Sequence, residues 1–121
     1  MRYTIEPKSG YLKAEMVERD TSAETAEFVE AIVAALRTHQ VSRVLISIRG
    51  SRPVFKVEEW KLSQTLNLLM SIPDVHVAFI SDTRELKMSQ DYIALLGRQR
   101  GLAFETFDTE EAALAWLTPP G

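Results

Sequence analysis

Basic side chains cluster in the segment that separates a strongly apolar run, residues 44–48, from the next predicted helix. The polar members of this segment are Arg49, Ser51, Arg52 and Lys56. Backbone N–H groups at a helix start and nearby cations bind anions together, so the pattern is typical of a phosphate or carboxylate site. The same residues fit a solvated basic loop neutralised by Glu58 and Glu59, because surface Arg and Lys are common. The sequence favours the solvated loop, and the anion site is the alternative.

Three large apolar residues lie among these cations or shortly after them in the sequence. They are Val54, Phe55 and Trp60. Trp60 falls on nearly the opposite side of its predicted helix from the stripe that contains Leu62 and Leu66. We therefore expect it to be exposed unless the first turn folds back. An exposed cluster of this kind marks a contact with a ligand or a partner. The alternative is a small local core that closes the loop on itself.

Asp82 follows a second apolar run, residues 75–81. In open α/β sheets ligands bind beyond the carboxyl ends of the strands, which is where Asp82 would lie. The spacing between Asp82 and Glu85 also matches a capping box, so the start of a helix is a second explanation for Asp82. The capping spacing favours the cap, and contact with a ligand is the alternative.

The sequence lacks the usual signatures of catalysis. Its two histidines, His39 and His76, do not have the spacing of a metal site. Cysteine is absent, and no Gly-x-Ser-x-Gly elbow, Gly-x-Gly-x-x-Gly turn or Gly-Lys-Ser/Thr loop occurs. We therefore predict a protein that is not an enzyme and that uses no metal or cofactor. An enzyme acting through Ser51 or Asp82 would need a second polar catalytic group in contact with that residue.

Composition narrows the choice of partners and location. The chain has 121 residues, 45% of them hydrophobic, with 14 basic and 17 acidic side chains and a formal charge of −3. This balance argues against a protein that binds nucleic acid through phosphate neutralisation. No apolar run approaches the roughly 20 residues of a membrane-spanning helix, and the first residues lack a signal-peptide core. We expect a cytoplasmic protein with one domain, residues 1–117, and a frayed tail, residues 118–121.

Strand-like and helix-like patterns alternate along the chain. Apolar runs and period-two patterns predict strands at residues 3–6, 11–18, 44–48, 75–81 and 102–107. Helical spacing predicts helices at about 21–39, 58–71, 82–101 and 108–117. The third helix is marked by Met88, Tyr92, Leu95, Leu96 and Gln99. The order ββαβαβαβα predicts an α/β fold with four helices, a mixed, mostly parallel five-stranded sheet and an antiparallel amino-terminal hairpin.

Two segments and this order of elements resemble a known family. The pattern from Phe104 to Leu117 looks like the end of the small SpoIIAA-like STAS proteins, and His76 to Asp82 is similar to their penultimate strand. The resemblance implies the STAS fold of bacterial anti-sigma-factor antagonists. In those antagonists an Asp-Ser pair after the third strand carries a serine that a partner kinase phosphorylates. The corresponding residues, 54–60, contain neither the pair nor a hydroxyl, so Ser51 is not assigned that role.

Two hypotheses for the function result. The first is a non-enzymatic STAS-like regulatory or protein-interaction domain whose contact surface runs from Arg49 to Trp60. The second is a binding module for a small apolar or amphipathic, lipid-like ligand, because other relatives in this broad group resemble lipid-transfer domains. Met88 and Tyr92 would then help to line the pocket. A flat apolar patch favours the first hypothesis, and a cavity of about 300–1,000 Å³ favours the second. A homodimer through an open sheet edge or the loop aromatics is a further expectation.

Overall fold

A five-stranded sheet forms the centre of the computed structural model, which describes residues 2–17, 22–50 and 66–118. Its strands are β1 (Arg2–Pro7), β2 (Leu12–Val17), β3 (Arg43–Arg49), β4 (His76–Ser81) and β5 (Ala103–Thr106). They lie side by side in chain order, with β1 antiparallel to β2 and every other neighbouring pair parallel. The predicted mixed sheet and its antiparallel amino-terminal hairpin are therefore confirmed.

Four helical segments lie within the described residues. They are α1 (Ser22–His39), α2, described over residues 66–70, α3 (Arg84–Gln99) and α4 (Glu110–Leu117). The predicted helices at 21–39, 82–101 and 108–117 begin and end within about two residues of α1, α3 and α4. Most of the predicted helix at 58–71 lies outside the described residues, as do residues 119–121 of the predicted tail.

Three helices pack on one face of the sheet. Each of α1, α2 and α3 connects two parallel strands that are neighbours in the sheet. Because these crossovers have the same hand, all three helices lie on that face. There they share a single core with alternate residues of the strands. Its largest fully buried members are Leu12, Met16, Phe28, Ile32, Leu36, Val44, Leu66, Leu86 and Phe104. These side chains are at most about 1–2% exposed, so this face holds most of the apolar surface buried on folding.

The opposite face carries a smaller core built around α4. Leu45, Ala78 and Ile80 from β3 and β4 pack there against Ala113 and Leu117. A helix of eight residues is only about 12 Å long. It therefore covers only part of this face.

The buried side of α3 is not the side that its largest apolar residues indicate. Met88, Tyr92 and Leu95 are 56%, 47% and 47% exposed, whereas the buried side includes Leu86 and Ala94. The helix carries two apolar stripes, and the one with smaller side chains faces the sheet because the bulky Phe79 and Phe104 rings already fill the space beneath it. The other residues of the predicted pocket, Val54, Phe55 and Trp60, lie outside the described residues, so a contribution of Met88 and Tyr92 to a pocket at the strand ends stays a prediction.

Candidate functional site

A cleft of about 350 Å³ lies at the carboxyl ends of β3 and β4, on the α4 side of the sheet. It is lined by Ser47, Arg49, Ile80, Ser81, Asp82, Asp108 and Glu110. Ligands of open α/β sheets bind beyond the carboxyl ends of the strands, and the cleft lies at that place. Its volume falls near the lower end of the range typical of small-molecule sites.

Contacts at both ends of α4 fix the wall of this cleft. Lys13 Nζ lies 3.0 Å from Glu110 Oε1 at the start of the helix. The Arg43 guanidinium donates a hydrogen bond to the Leu117 carbonyl at the other end. The hydrogen bond to Glu110 raises the pKa of Lys13 above its ordinary value, and burial opposes this only in part. The Lys13 ammonium group therefore stays charged near neutral pH.

Capping-box spacing predicts N-caps at Asp82, with Glu85, and at Asp108, with Glu111, but each cap lies one residue later. Thr83 Oγ1 accepts a hydrogen bond from the Leu86 N–H at 3.2 Å, and Thr109 Oγ1 accepts one from the Ala112 N–H at 3.1 Å. Thr83 and Thr109 are therefore the N-caps of α3 and α4. The interpretation of Asp82 as a cap is wrong, and its carboxylate lines the cleft instead.

Asp82 connects the ends of two neighbouring strands. Its Oδ2 accepts a hydrogen bond from the Gly50 N–H at 3.1 Å. Gly50 follows β3 directly and adopts a φ of +56°, a left-handed conformation that glycine adopts at little cost. Asp82 therefore fixes the path of the chain as it leaves β3 and enters the segment that the sequence had singled out.

Salt bridges use one oxygen of each of the two carboxylates from the α4 region. Lys87 Nζ lies 2.5 Å from Asp108 Oδ1, and this contact raises the pKa of Lys87. Lys13 contacts Glu110 through Oε1, as described above. In the described part of the chain no hydrogen bond or ion pair engages Asp108 Oδ2, Glu110 Oε2 or the Oδ1 atom of Asp82. Three carboxylate oxygens thus remain available at the cleft.

The Arg49 side chain forms a salt bridge with a carboxylate outside the cleft. Its Nε lies 3.5 Å from Glu15 Oε1 on the neighbouring strand β2. Both side chains are substantially exposed, at 57% and 31%, so water screens the pair. The cleft therefore combines one arginine, already paired with a carboxylate, with three acidic side chains.

Ser47 is the polar residue at the base of the cleft. It is 1% exposed and lies in the otherwise apolar strand β3. Among the described residues none hydrogen-bonds its hydroxyl. Buried hydroxyls are normally hydrogen-bonded, and leaving one unpaired costs about 1–3 kcal/mol. A bound group inside the cleft would supply the missing partner.

The structure brings together two of the predicted site residues, Arg49 and Asp82. The other six lie outside the described residues. They are Ser51, Arg52, Val54, Phe55, Lys56 and Trp60. Sequence reasoning missed Ser47, Asp108 and Glu110. A single serine inside the run Val44 to Ile48 was the signal that could have identified Ser47.

Two other structural features are absent from the described residues. Across residues 2–17, 22–50 and 66–118, no group of three or more His, Asp or Glu side chains is arranged to hold a metal ion. Within the same residues, no helix has the length and apolar character needed to cross a membrane.

Comparison with known proteins does not place the chain in a family. No family model matches it, and no curated protein matches it. The resemblance to STAS domains therefore stays a prediction that depends on the quoted segments and on the order of elements.

Gln90 supports the cleft from the opposite side of the sheet. Its side chain is 2% exposed, and Nε2 donates to the carbonyl of Ile80, a lining residue, at 3.3 Å. Replacing Gln90 with alanine leaves that carbonyl without this partner, and we expect the free energy of unfolding to fall by about 1–2 kcal/mol. Urea denaturation measures the change. Gln99→Ala, at an exposed position of the same helix, is the control and should lower stability by no more than about 0.5 kcal/mol. Equal losses in the two variants would contradict the structural role of Gln90.

Proposed function

We propose that this chain is a non-enzymatic, cytoplasmic binding domain of the STAS type whose cleft accepts a small cationic group, an ammonium or a guanidinium. The observation that supports this best is the buried Ser47 hydroxyl, which no described residue hydrogen-bonds, beneath carboxylates that each retain one oxygen without a partner among those residues. A cation with N–H donors would satisfy both kinds of acceptor. The polar lining favours such a group over a lipid-like ligand.

Charge supports a cation over an anion in the described part of the cleft. Asp82, Asp108 and Glu110 contribute three negative charges, and Lys87 and Lys13 neutralise two of them from the outside. The Arg49 charge is shared with Glu15. An anion placed among these acids would be repelled, whereas N–H donors of a cation would form charge-assisted hydrogen bonds.

The cation has two sources, and only the second of them corresponds to a hypothesis drawn from the sequence, the protein-interaction domain. It is either the head group of a free small amine or the Lys or Arg side chain of a partner protein. The first source makes the domain a sensor or carrier of a small molecule. The second makes it a protein-interaction domain that acts through its strand-end rim.

Amide NMR of the ¹⁵N-labelled protein tests the proposal. We expect ethylammonium and methylguanidinium to shift the amide signals of residues 47–50, 80–82 and 108–110, with dissociation constants of about 1 mM or weaker. N-acetyl-lysine amide and N-acetyl-arginine amide distinguish the sources. Tighter binding of these capped residues than of the free cations indicates a partner side chain.

Two neighbouring acids provide a matched pair of variants. Glu110→Gln should weaken binding of ethylammonium about threefold to tenfold, because it removes one carboxylate from the cleft. Glu111→Gln makes the same chemical change at the next residue, which does not line the cleft, and should leave binding unchanged. Shifts caused by acetate and not by ethylammonium would overturn the proposal in favour of the anion site predicted around Arg49. The absence of shifts with every probe would also overturn it.

A further inference from the structure

Contacts within the protein close the sheet edge formed by β5. Arg98 donates a hydrogen bond to the Phe104 carbonyl at 3.0 Å, and the Phe104 N–H donates to the Leu102 carbonyl at 3.1 Å. The Thr106 N–H donates to the Glu105 carboxylate at 3.3 Å. These contacts use backbone groups that β5 would otherwise offer to another strand, and covering an edge in this way prevents unwanted strand pairing.

The opposite edge, formed by β1, is open. β1 pairs with β2 alone, and the Lys8 N–H donates to the Tyr11 carbonyl at 2.8 Å beside the turn, which makes these two residues a hydrogen-bonded pair. Such pairs alternate along an antiparallel ladder, so Thr4 and the other even-numbered residues of β1 bond to β2. Tyr3 and Ile5 therefore direct their N–H and C=O groups away from the sheet. In the described part of the chain these groups have no partner.

We propose that β1 pairs with β1 of a second copy of this chain, antiparallel about a two-fold axis at Thr4, so that the two sheets become continuous. Tyr3 of each copy then faces Ile5 of the other as a hydrogen-bonded pair, and the outward N–H and C=O groups of both residues are all bonded. Arg2 faces Glu6 across the axis, so no like charges are opposed. The edge is thus self-complementary, as a two-fold interface requires.

Other positions of the axis satisfy the edge less well. With the axis at Ile5, Tyr3 would face Pro7, which has no N–H, so the Tyr3 carbonyl would stay unpaired. The same shift would place Arg2 opposite Lys8. With the axis at Tyr3, Ile5 would face residue 1, beyond the end of β1. The position of Pro7 therefore favours the register centred on Thr4.

Side chains on the face that carries α1 favour the same register. Tyr3 is 38% exposed, and its ring packs against Phe28 of α1 at a centroid distance of 5.5 Å. Ile5 is half-buried against the main core. The pairing places the exposed part of each Tyr3 ring beside Ile5 of the other copy. Aromatic and β-branched side chains form favourable cross-strand pairs, so this contact adds to the backbone hydrogen bonds.

The pairing is weak because the edge is short. β1 has six residues, whereas stable protein interfaces bury about 800 Å² on each partner. We expect a dissociation constant in the range of about 10 μM to 1 mM.

Amide hydrogen exchange measured by NMR tests which edge pairs and in which direction its groups point. The amides of Tyr3 and Ile5 should exchange about twofold or more slowly at about 1 mM protein than at about 50 μM, because only the pair protects them. The amides of Thr4 and Glu6 already bond to β2 and should show no such change. Equal changes at odd and even residues, or none at Tyr3 and Ile5, would overturn the proposal.

Thr4 provides a second test because a charge on the two-fold axis faces itself. Thr4→Lys and Thr4→Glu should each weaken self-association about tenfold in sedimentation equilibrium. An equimolar mixture of the two variants should associate more tightly than either alone, since Lys then faces Glu. Thr38→Lys makes the same change at an exposed position of α1 and should leave self-association unchanged.

Three results of sedimentation would contradict the pairing. They are a monomer at every concentration up to about 1 mM, a mixture no tighter than its components, and equal effects of Thr4→Lys and Thr38→Lys. Circular dichroism establishes that each variant is folded, so a loss of association is not a loss of structure.

The proposed pairing is independent of the proposed cleft function. It uses backbone groups of β1, whereas the cleft is lined by residues of β3, β4 and the α4 region. Glu110→Gln should therefore weaken binding of ethylammonium and leave sedimentation unchanged. Failure of one proposal is visible without loss of the other.

Discussion

Replacing Leu117 with alanine is expected to lower the free energy of unfolding by about 2–5 kcal/mol and to abolish binding at the cleft. Leu117 is fully buried and, with Ala113, joins α4 to Leu45, Ala78 and Ile80. An eight-residue helix is too short to be stable by itself, so α4 depends on this packing. When the packing is lost, the helix no longer holds Asp108 and Glu110 beside the strand ends.

Urea denaturation gives the stability of Leu117→Ala, and amide NMR gives its response to ethylammonium. The matched control is Leu114→Ala, which removes the same atoms from a half-buried position of the same helix. We expect a loss of no more than about 1–2 kcal/mol in the control and retention of binding. If both variants lose the same stability, α4 is not anchored through Leu117 in the way described.

Replacing Gly97 with alanine is expected to destabilise the protein by about 3 kcal/mol, at the upper end of overpacking effects. An ideal Cβ at this position would lie 2.4 Å from Phe104 Cδ2 and 2.7 Å from Cε2. The Phe104 ring is 2% exposed and packs edge-on against Phe79 at a centroid distance of 5.5 Å, so it has little room to move. An ordinary exposed glycine in a helix would instead gain about 1 kcal/mol on the same change.

A second substitution isolates the cause of this loss. Phe104→Leu alone should destabilise, because it leaves a cavity, but in Gly97→Ala/Phe104→Leu the new methyl group occupies part of that space. The double variant should therefore lose less stability than the sum of the losses in the two single variants. Thermal and urea unfolding of the four proteins complete the cycle. A stabilising effect of Gly97→Ala alone would contradict the close approach of α3 to β5.

Local sequence rules located the starts of α3 and α4 to within two residues but chose the wrong capping group. Both acidic residues at capping-box spacing, Asp82 and Asp108, are followed by a threonine that provides the cap. Asp and Thr are both strong N-caps, so spacing alone does not choose between them. That one-residue difference leaves two carboxylates at the cleft.

Periodicity also could not choose the buried side of α3. The apolar residues Met88, Tyr92 and Leu95 form a convincing stripe, yet the side with Ala94 and Gly97 faces the sheet. A helical pattern records which residues are apolar. It does not record the shape of the surface that the helix must fit, and here Phe104 excludes large side chains.

The amino-acid sequence by itself determined the alternation of strands and helices, the parallel character of the inner sheet and the antiparallel hairpin, because these depend on short-range periodicity and chain order. It also pointed to the carboxyl ends of β3 and β4. Only the tertiary structure decided the order of the strands, the exposed side of α3 and the meeting of Ser47 with Asp108 and Glu110. These features depend on packing between residues that lie far apart in the chain.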